Sequence, residues 1–156
     1  MPKDYLLGMS NVQKRAAVKA LKKLPELNAL RKANGMLYTS HLLRQGLNHV
    51  LPELHPDHSF LKYPLLVHDR GAFMKKAREA KIPLGAWFRS PLHPVEGNLS
   101  KWGFESDRYP NAVFAASHVV NLPTDTREPG KVLEFVDRNA DLVMDVTLGG
   151  RLPQQK

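Results

Sequence analysis

The stretch from Leu84 to Pro94, Leu-Gly-Ala-Trp-Phe-Arg-Ser-Pro-Leu-His-Pro, does most to constrain how this chain folds. It begins as an apolar, aromatic run of strand length. It then breaks at Ser90-Pro91 into a loop that carries one imidazole, His93, between two prolines. Because a strand fixes the base of the loop that follows it, such loops commonly carry functional side chains. The stretch therefore predicts a strand with a candidate site at its end.

The rest of the composition indicates one soluble globular domain over 1–156. A chain of 156 residues can bury about 70% of the surface that its unfolded form exposes. It contains no cysteine, which excludes a disulfide framework, thiolate zinc sites and cysteine nucleophiles. No apolar run reaches membrane-spanning length, and Met1–Gly8 lacks the architecture of a signal peptide. We expect a cytoplasmic protein with no membrane partner.

Positive charge is concentrated in the first half of the chain. Residues 1–81 hold 15 Lys and Arg against 6 Asp and Glu, whereas residues 82–156 hold 8 against 9. A basic half is compatible with nucleic acid, a membrane surface or an acidic ligand. The alternative, which we favour, is a solvated helix face or one that meets an acidic neighbour.

Two helices are predicted over about 9–47. Ser10 and Gln13 have the spacing of a capping box, and apolar residues then recur at helical spacing. Pro25 is expected to end the first helix or to start the next, and a second helix runs from about Glu26 to Gln45 with Gly46 as its cap. These helices would form an antiparallel pair.

A small, mainly antiparallel sheet with helices packed on it is predicted over about 60–148, which gives an α+β fold. Asp69 caps its first helix, Pro110 begins its second and Thr124 or Asp125 caps its third. Pro64 places the first strand at an edge or a bulge. The elements are a strand at 60–67, a helix at 71–80, a strand at 82–88, a long loop at 90–109, a helix at 111–117, a strand at 119–122, a helix from 124 or 125 to 138, and a last strand within 141–150, before a polar tail at 149–156.

Several segments, taken in order, resemble the C-terminal region of DegT/DnrJ/EryC1/StrS-type aminotransferases, which are pyridoxal-phosphate enzymes of amino-sugar synthesis. The resemblance covers about residues 5–138. Its segments are Met9–Gln13, Leu21–Leu24, Arg31–Asn34, Tyr63–Arg70, Ile82–Pro94, Trp102–Phe104, Pro110–Ala112 and Val120–Thr124. The resemblance implies the small domain of such an enzyme.

The resemblance also implies what this chain lacks. The family's cofactor lysine, its acid partner and its phosphate cradle lie mainly in a large domain that precedes the part matched here, and we expect none of them ahead of Met9. Family members usually carry Asn and Arg where this chain has Leu6 and Gly8, and often an acid where it has Val113. We therefore expect no catalytic residue and no cofactor bound by this chain alone.

Five residues are candidates for the substrate side of a site. The family's matching histidine faces the active site, which points to His93, although a loop histidine bonded to backbone would look the same in sequence. Trp87, Arg89 and Ser90 suit a sugar or nucleotide, because aromatic rings stack and Arg binds phosphate. The alternative is that Trp87 and Phe88 alternate between the two faces of a strand. Asn121 either contacts ligand or satisfies backbone groups in a turn.

The basic first helix supplies the interface candidates. Its apolar and cationic positions suit packing against a partner helix, and they include Met9, Val12, Lys14, Arg15 and Lys19. It has no aromatic residues that could stack on bases, so nucleic acid is the less favoured partner. The set His49, His55, Asp57 and His58 carries metal-ligating groups, but no predicted strand or helix fixes it, and we predict no metal site.

The sequence therefore predicts a small domain of a sugar aminotransferase that is not catalytically complete on its own. Its expected partners are a second copy of itself or a large aminotransferase domain, with a nucleotide-sugar as the substrate of the whole enzyme. The alternative is a stand-alone protein-interaction module.

Overall fold

The computed structural model describes residues 8–145. They form four α-helices and a two-stranded antiparallel sheet, which confirms the predicted α+β class. In chain order the elements are α1 (Asn11–Arg44), β1 (Tyr63–Leu66), α2 (Arg70–Glu79), α3 (Pro110–His118), β2 (Val119–Leu122) and α4 (Pro129–Arg138). Short 3₁₀ turns lie at Pro52–Leu54, Leu99–Trp102, Ser106–Arg108 and Ala140–Leu142.

The predicted antiparallel helix pair is wrong, because α1 is one helix of 34 residues with Pro25 inside it. An interior proline costs a helix roughly 3 kcal/mol but does not forbid it where strong helix formers lie on both sides. The predicted capping box is confirmed: Gln13 N donates to Ser10 Oγ at 3.3 Å, and Ser10 N donates to Gln13 Oε1 at 2.8 Å. At the other end, Gly46 takes the left-handed conformation just past the last turn, as the sequence suggested.

The carboxyl-terminal half of α1 is anchored to the segment that follows β2. Tyr38 Oη donates to the Pro123 carbonyl at 2.7 Å, and Asn34 Nδ2 donates to the Thr124 carbonyl at 2.8 Å. Burial raises the pKa of Tyr38 far above its usual range, and the charge of Asp125 adds to the effect. These bonds are buried, so this half of α1 belongs to the core.

The sheet pairs β1 with β2 from Tyr63↔Leu122 to Leu66↔Val119. Pro64 lies on a strand with no second full-length neighbour, as its missing amide hydrogen predicted. On the outer side of β1, Asn48 takes the place of a further strand. Its Oδ1 accepts from Leu66 N at 2.7 Å and its Nδ2 donates to the Leu66 carbonyl at 2.8 Å.

The strand predicted at 82–88 does not form. Only Gly85 pairs with β2, through reciprocal bonds of 2.8 and 2.9 Å to Asn121. Pro83 has no amide hydrogen, and Leu84 N bonds locally to the Ile82 carbonyl at 2.9 Å. Strand pairing therefore stops after one residue, and the chain turns into the loop that carries His93.

The other predicted elements are partly confirmed. Asp69 caps α2 by accepting from Ala72 N at 2.9 Å, and Pro110 begins α3. However, α4 begins at Pro129 and not at Thr124 or Asp125, because the Thr124 hydroxyl is buried and donates to the Phe60 carbonyl at 2.6 Å. Within the predicted last strand, Val143 and Asp145 form only isolated bridges. Residues 146–150 and the tail at 149–156 lie outside the described residues.

The core joins α1, the sheet and the inner faces of α2 and α4. Its largest fully buried side chains include Tyr38, Phe60, Tyr63, Phe73 and Leu65. Gly35 lets α1 pack closely against the Phe60 ring, since a Cβ at this position would lie 2.5 Å from that ring. Among the helices described between residues 8 and 145, none has the length and apolar character that a membrane span needs.

Candidate functional site

Three rings cluster where the loop after Gly85 folds back on itself. The Trp87 and Phe88 rings stack with their centroids 6.0 Å apart, and the His93 ring lies 5.1 Å from that of Phe88. Trp87 and Phe88 are 51% and 55% exposed, so neither is in the core. The predicted alternation of these two residues across a strand is therefore wrong. Together the rings form an open aromatic surface.

Two buried polar side chains position this cluster. Asn121, on β2, accepts a hydrogen bond from Trp87 N at 2.8 Å through Oδ1, which fits the predicted role of satisfying backbone groups. Ser90 Oγ accepts from Leu92 N at 3.2 Å and so closes the turn that carries His93. Both side chains are almost fully buried. The loop is thus tied to the sheet at its start and braced internally before His93.

A cavity of about 1040 Å³ lies beside the cluster, and its walls are mostly apolar. An adjoining cavity of about 450 Å³ shares Trp87, His93, Asn121 and Lys62 with it. The wall opposite the loop comes from α3 and is made of small side chains, namely Ala112, Ala115 and Ala116. These alanines leave space that a bulkier helix face would fill.

All five predicted substrate-side residues lie around these two cavities. Trp87, Ser90, His93 and Asn121 line the larger one, and Arg89 lines the smaller one. The structure thus brings together side chains that are up to 34 residues apart in sequence. Their contact with a ligand remains a prediction.

Sequence reasoning missed two conspicuous wall residues, Lys62 and Trp102. Lys62 precedes β1 and lines both cavities, and Trp102 ends a 3₁₀ turn and is 69% exposed at the larger one. Each lies in or beside a segment that carries the family resemblance, next to Tyr63-Pro64 and within Trp102-Gly103-Phe104. That position was the signal available in the sequence.

The histidine-rich connector before β1 has structural partners. His55 Nε2 lies 3.1 Å from Thr39 Oγ1, and His58 Nδ1 accepts from Phe60 N at 2.8 Å. His49 Nδ1 lies 2.9 Å from the Leu47 carbonyl. Between residues 8 and 145, no three His, Asp or Glu side chains gather as metal ligands do.

These features define a small α+β domain in which two adjoining cavities with aromatic walls lie against a short sheet. The model of the DegT/DnrJ/EryC1/StrS aminotransferase family matches residues 5–134. The chain belongs to this family, as the resemblance predicted. No curated protein sequence matches it significantly.

The family is in general pyridoxal-phosphate-dependent. It needs a lysine for a Schiff base, an acid beside the pyridine nitrogen and a phosphate cradle. The walls of the larger cavity include one lysine, Lys62, and no carboxylate. Among the described residues, the walls of the smaller cavity include one carboxylate, that of the exposed Glu96. The residues described here therefore do not form a complete pyridoxal-phosphate site.

Proposed function

We propose that this chain forms the substrate-side half of a sugar aminotransferase site and does not transaminate alone. The whole enzyme would move an amino group from an amino acid such as glutamate to a keto-sugar nucleotide. The observation that carries the proposal is the composition of the larger cavity, where Trp87, Phe88 and His93 converge without any carboxylate in the walls. Such a cavity can hold a substrate but lacks the acid that the cofactor needs.

The side chains present suit a nucleotide-sugar. Exposed aromatic faces stack on a base or on the apolar face of a sugar ring. Arg89 and Lys62 supply the positive charge that a diphosphate requires, and an arginine can bind phosphate through two parallel hydrogen bonds. His93, at the junction of the two cavities, can donate or accept a hydrogen bond there.

The missing half would come from another domain or chain. A large aminotransferase domain that docks over the open side of the cavity would supply the cofactor lysine and its acid partner. Self-association of this chain is the other arrangement, in which each copy covers the other's aromatic surface. In both cases this chain binds and orients the substrate, and the partner supplies the amino-group chemistry.

Substrate binding can be tested with one tryptophan as the reporter. The chain has two tryptophans, so Trp102→Phe leaves Trp87 as the sole indole. We expect UDP-glucose to quench its fluorescence saturably and His93→Ala to weaken this binding by about tenfold, the loss of one hydrogen bond to a charged group. His68→Ala, which removes an exposed histidine outside the cavity walls, is the matched control. Absence of quenching in the folded protein would contradict substrate binding.

The claim of inactivity needs a separate experiment, so that the two can fail independently. Pyridoxal phosphate is added, the protein is reduced with borohydride, and the labelled lysines are identified by mass spectrometry. We expect only weak, unsaturable labelling, spread over exposed lysines such as Lys75. The opposite result would be a stoichiometric adduct at Lys62 that Lys62→Gln abolishes, together with amino transfer from glutamate. That result would show that this chain carries a complete active site and would contradict the proposed inactivity.

A further inference from the structure

His58 presents a hydrogen-bond donor in the wall of the larger cavity. Its Nδ1 accepts from the backbone N–H of Phe60 at 2.8 Å, so the proton of the neutral imidazole is on Nε2. The ring also packs against the buried Phe60 ring, with the two centroids 4.4 Å apart. Nε2 has no hydrogen-bond partner among the described residues and is not sealed in the interior. The fold thus fixes both the orientation of this imidazole and the nitrogen that donates.

The acceptor atoms of two other polar wall residues are already engaged. Ser90 Oγ accepts from Leu92 N at 3.2 Å, and Asn121 Oδ1 accepts from Trp87 N at 2.8 Å. The side-chain atoms left for a ligand are therefore mainly donors. In the walls of the larger cavity, the side-chain donors without a partner among the described residues include His58 Nε2, Lys62 Nζ, Asn121 Nδ2 and the indole Nε1 atoms of Trp87 and Trp102.

Charge in the walls favours the same ligands. The larger cavity has Lys62 in its walls and, among the described residues, no carboxylate. The exposed carboxylate of Glu96 belongs to the walls of the smaller cavity. Exposed aromatic rings can bind a ligand cation over their faces. Here, however, an ammonium group would meet the positive charge of Lys62 and would find few acceptors for its hydrogens.

We propose that the larger cavity selects ligands whose ring carries hydrogen-bond acceptors and rejects the corresponding amines, with His58 Nε2–H as an oriented donor. A site built to donate leaves its own donors unpaired when the ligand offers no acceptor, and such sites discriminate strongly. In the proposed enzyme, the cavity would favour a keto-sugar over the amino-sugar product and so would assist product release. That consequence rests on the proposed function, whereas the selectivity of the cavity does not.

The selectivity is tested with two probes that share one aromatic ring system, naphthoate and naphthylmethylamine. At neutral pH the first carries a carboxylate, which only accepts hydrogen bonds, and the second an ammonium, which only donates them. The full chain is titrated with each probe by isothermal titration calorimetry. We expect saturable binding of naphthoate, and binding of the amine that is at least about tenfold weaker. Equal affinities, tighter binding of the amine, or no binding of naphthoate by the folded chain overturns the proposal.

His58→Asn separates the donor from the structural bond. The Oδ1 atom of asparagine can still accept from Phe60 N, but no group replaces Nε2–H. We expect naphthoate to bind about tenfold more weakly, with the free energy of unfolding in urea close to that of the wild type. His49→Asn makes the same replacement outside the cavity walls and should leave binding unchanged. An unchanged affinity in His58→Asn would contradict the role assigned to His58.

Lys62→Gln tests the contribution of charge. It should reduce the preference for naphthoate over the amine by about tenfold. Lys75→Gln makes the same change of charge at an exposed position on α2 and should keep the preference, which controls for the net charge of +8. Equal losses in the two variants would show that the preference comes from the overall charge and not from the cavity.

These measurements and the UDP-glucose titration can fail independently. Selective binding of naphthoate without quenching by UDP-glucose would support the selectivity and contradict the proposed function. Quenching by UDP-glucose together with equal binding of the two naphthalene probes would contradict the selectivity and leave the proposed function supported.

Discussion

The backbone N–H of Trp87 donates to Oδ1 of Asn121 across 2.8 Å, and this bond ends the pairing of the 82–88 segment with the sheet. Gly85 has just exchanged two backbone bonds with Asn121. One residue of β2 therefore holds the segment with its backbone and then with its side chain. The position of the aromatic cluster depends on that side chain.

Asn121→Ala should destabilise the fold and disorder the aromatic loop. The substitution leaves Trp87 N without its acceptor and opens a small space in a buried site, which we expect to cost about 1–3 kcal/mol in the free energy of unfolding. Urea denaturation measures this, and the emission of Trp87 in the Trp102→Phe background reports on the loop. Asn111→Ala, at an exposed position on α3, is the control and should change neither quantity.

Gly35→Ala should destabilise the protein by about 1–3 kcal/mol, the usual cost of overpacking a core. A Cβ at this position would lie 2.5 Å from the buried Phe60 ring, so either α1 or the ring must move. Gly130→Ala is a fair comparison, because a Cβ there meets nothing within 4 Å. Equal thermal stability of the two variants would show that α1 can shift without cost.

Stability should fall at alkaline pH through the two buried tyrosines. Burial raises the pKa of Tyr38, and it also raises that of Tyr63 despite opposing hydrogen bonds from Thr39 and Val50. A pKa that is higher in the folded state contributes stability that is fully present below the unfolded value of about 10 and is lost as pH rises above it.

Absorbance at the tyrosinate band, followed with urea denaturation across this pH range, tests the effect. Tyr38→Phe should flatten the alkaline loss of stability, while at neutral pH it costs about 1 kcal/mol for the bond to Pro123. Wild-type stability that stays constant as both tyrosines ionise would contradict the assigned shifts.

Pro25→Ala should slow amide hydrogen exchange in the first half of α1, Asn11–Glu26. Alanine restores the amide hydrogen and relieves the proline penalty of roughly 3 kcal/mol in a helix interior. Exchange measured by mass spectrometry on peptides covering residues 11–24 gives the comparison. Pro52→Ala, outside α1, should leave these peptides unchanged. If exchange stayed as fast in Pro25→Ala, the proline would not be what limits helix stability in this half of α1.

Local signals in the sequence predicted local structure well. The capping box at Ser10, the cap at Asp69 and the proline at the start of α3 each act within three or four residues, so their partners are close in the sequence. The helix break at Pro25 was wrong because a proline penalty competes with the propensities of many neighbouring residues. A rule that considers one position cannot weigh that competition.

Long-range contacts account for the other failures. The strand at 82–88 was predicted from its apolar composition. Pro83 and the local bond of Leu84 N prevent pairing before Gly85, and the Asn121 side chain, 34 residues from Trp87, takes the Trp87 N–H after it. The cavity shows the same limit. His93 stood out between its prolines, whereas Lys62 and Trp102 reach the walls only because β1 and a later 3₁₀ turn converge there. Their place in or beside segments that carry the family resemblance was a signal in the sequence, but no local pattern indicates that approach.

The contact of Asn48 with β1 has a consequence for solubility. The outward-facing positions of this strand are Pro64, which has no N–H to offer, and Leu66, whose N–H and carbonyl are both bonded to Asn48. An exposed strand edge otherwise serves as a template for pairing with a strand from another molecule. The Met144 N–H also donates to the Leu66 carbonyl, at 3.1 Å. One proline, one amide side chain and the backbone at Met144 therefore protect this edge from pairing with a strand of another molecule.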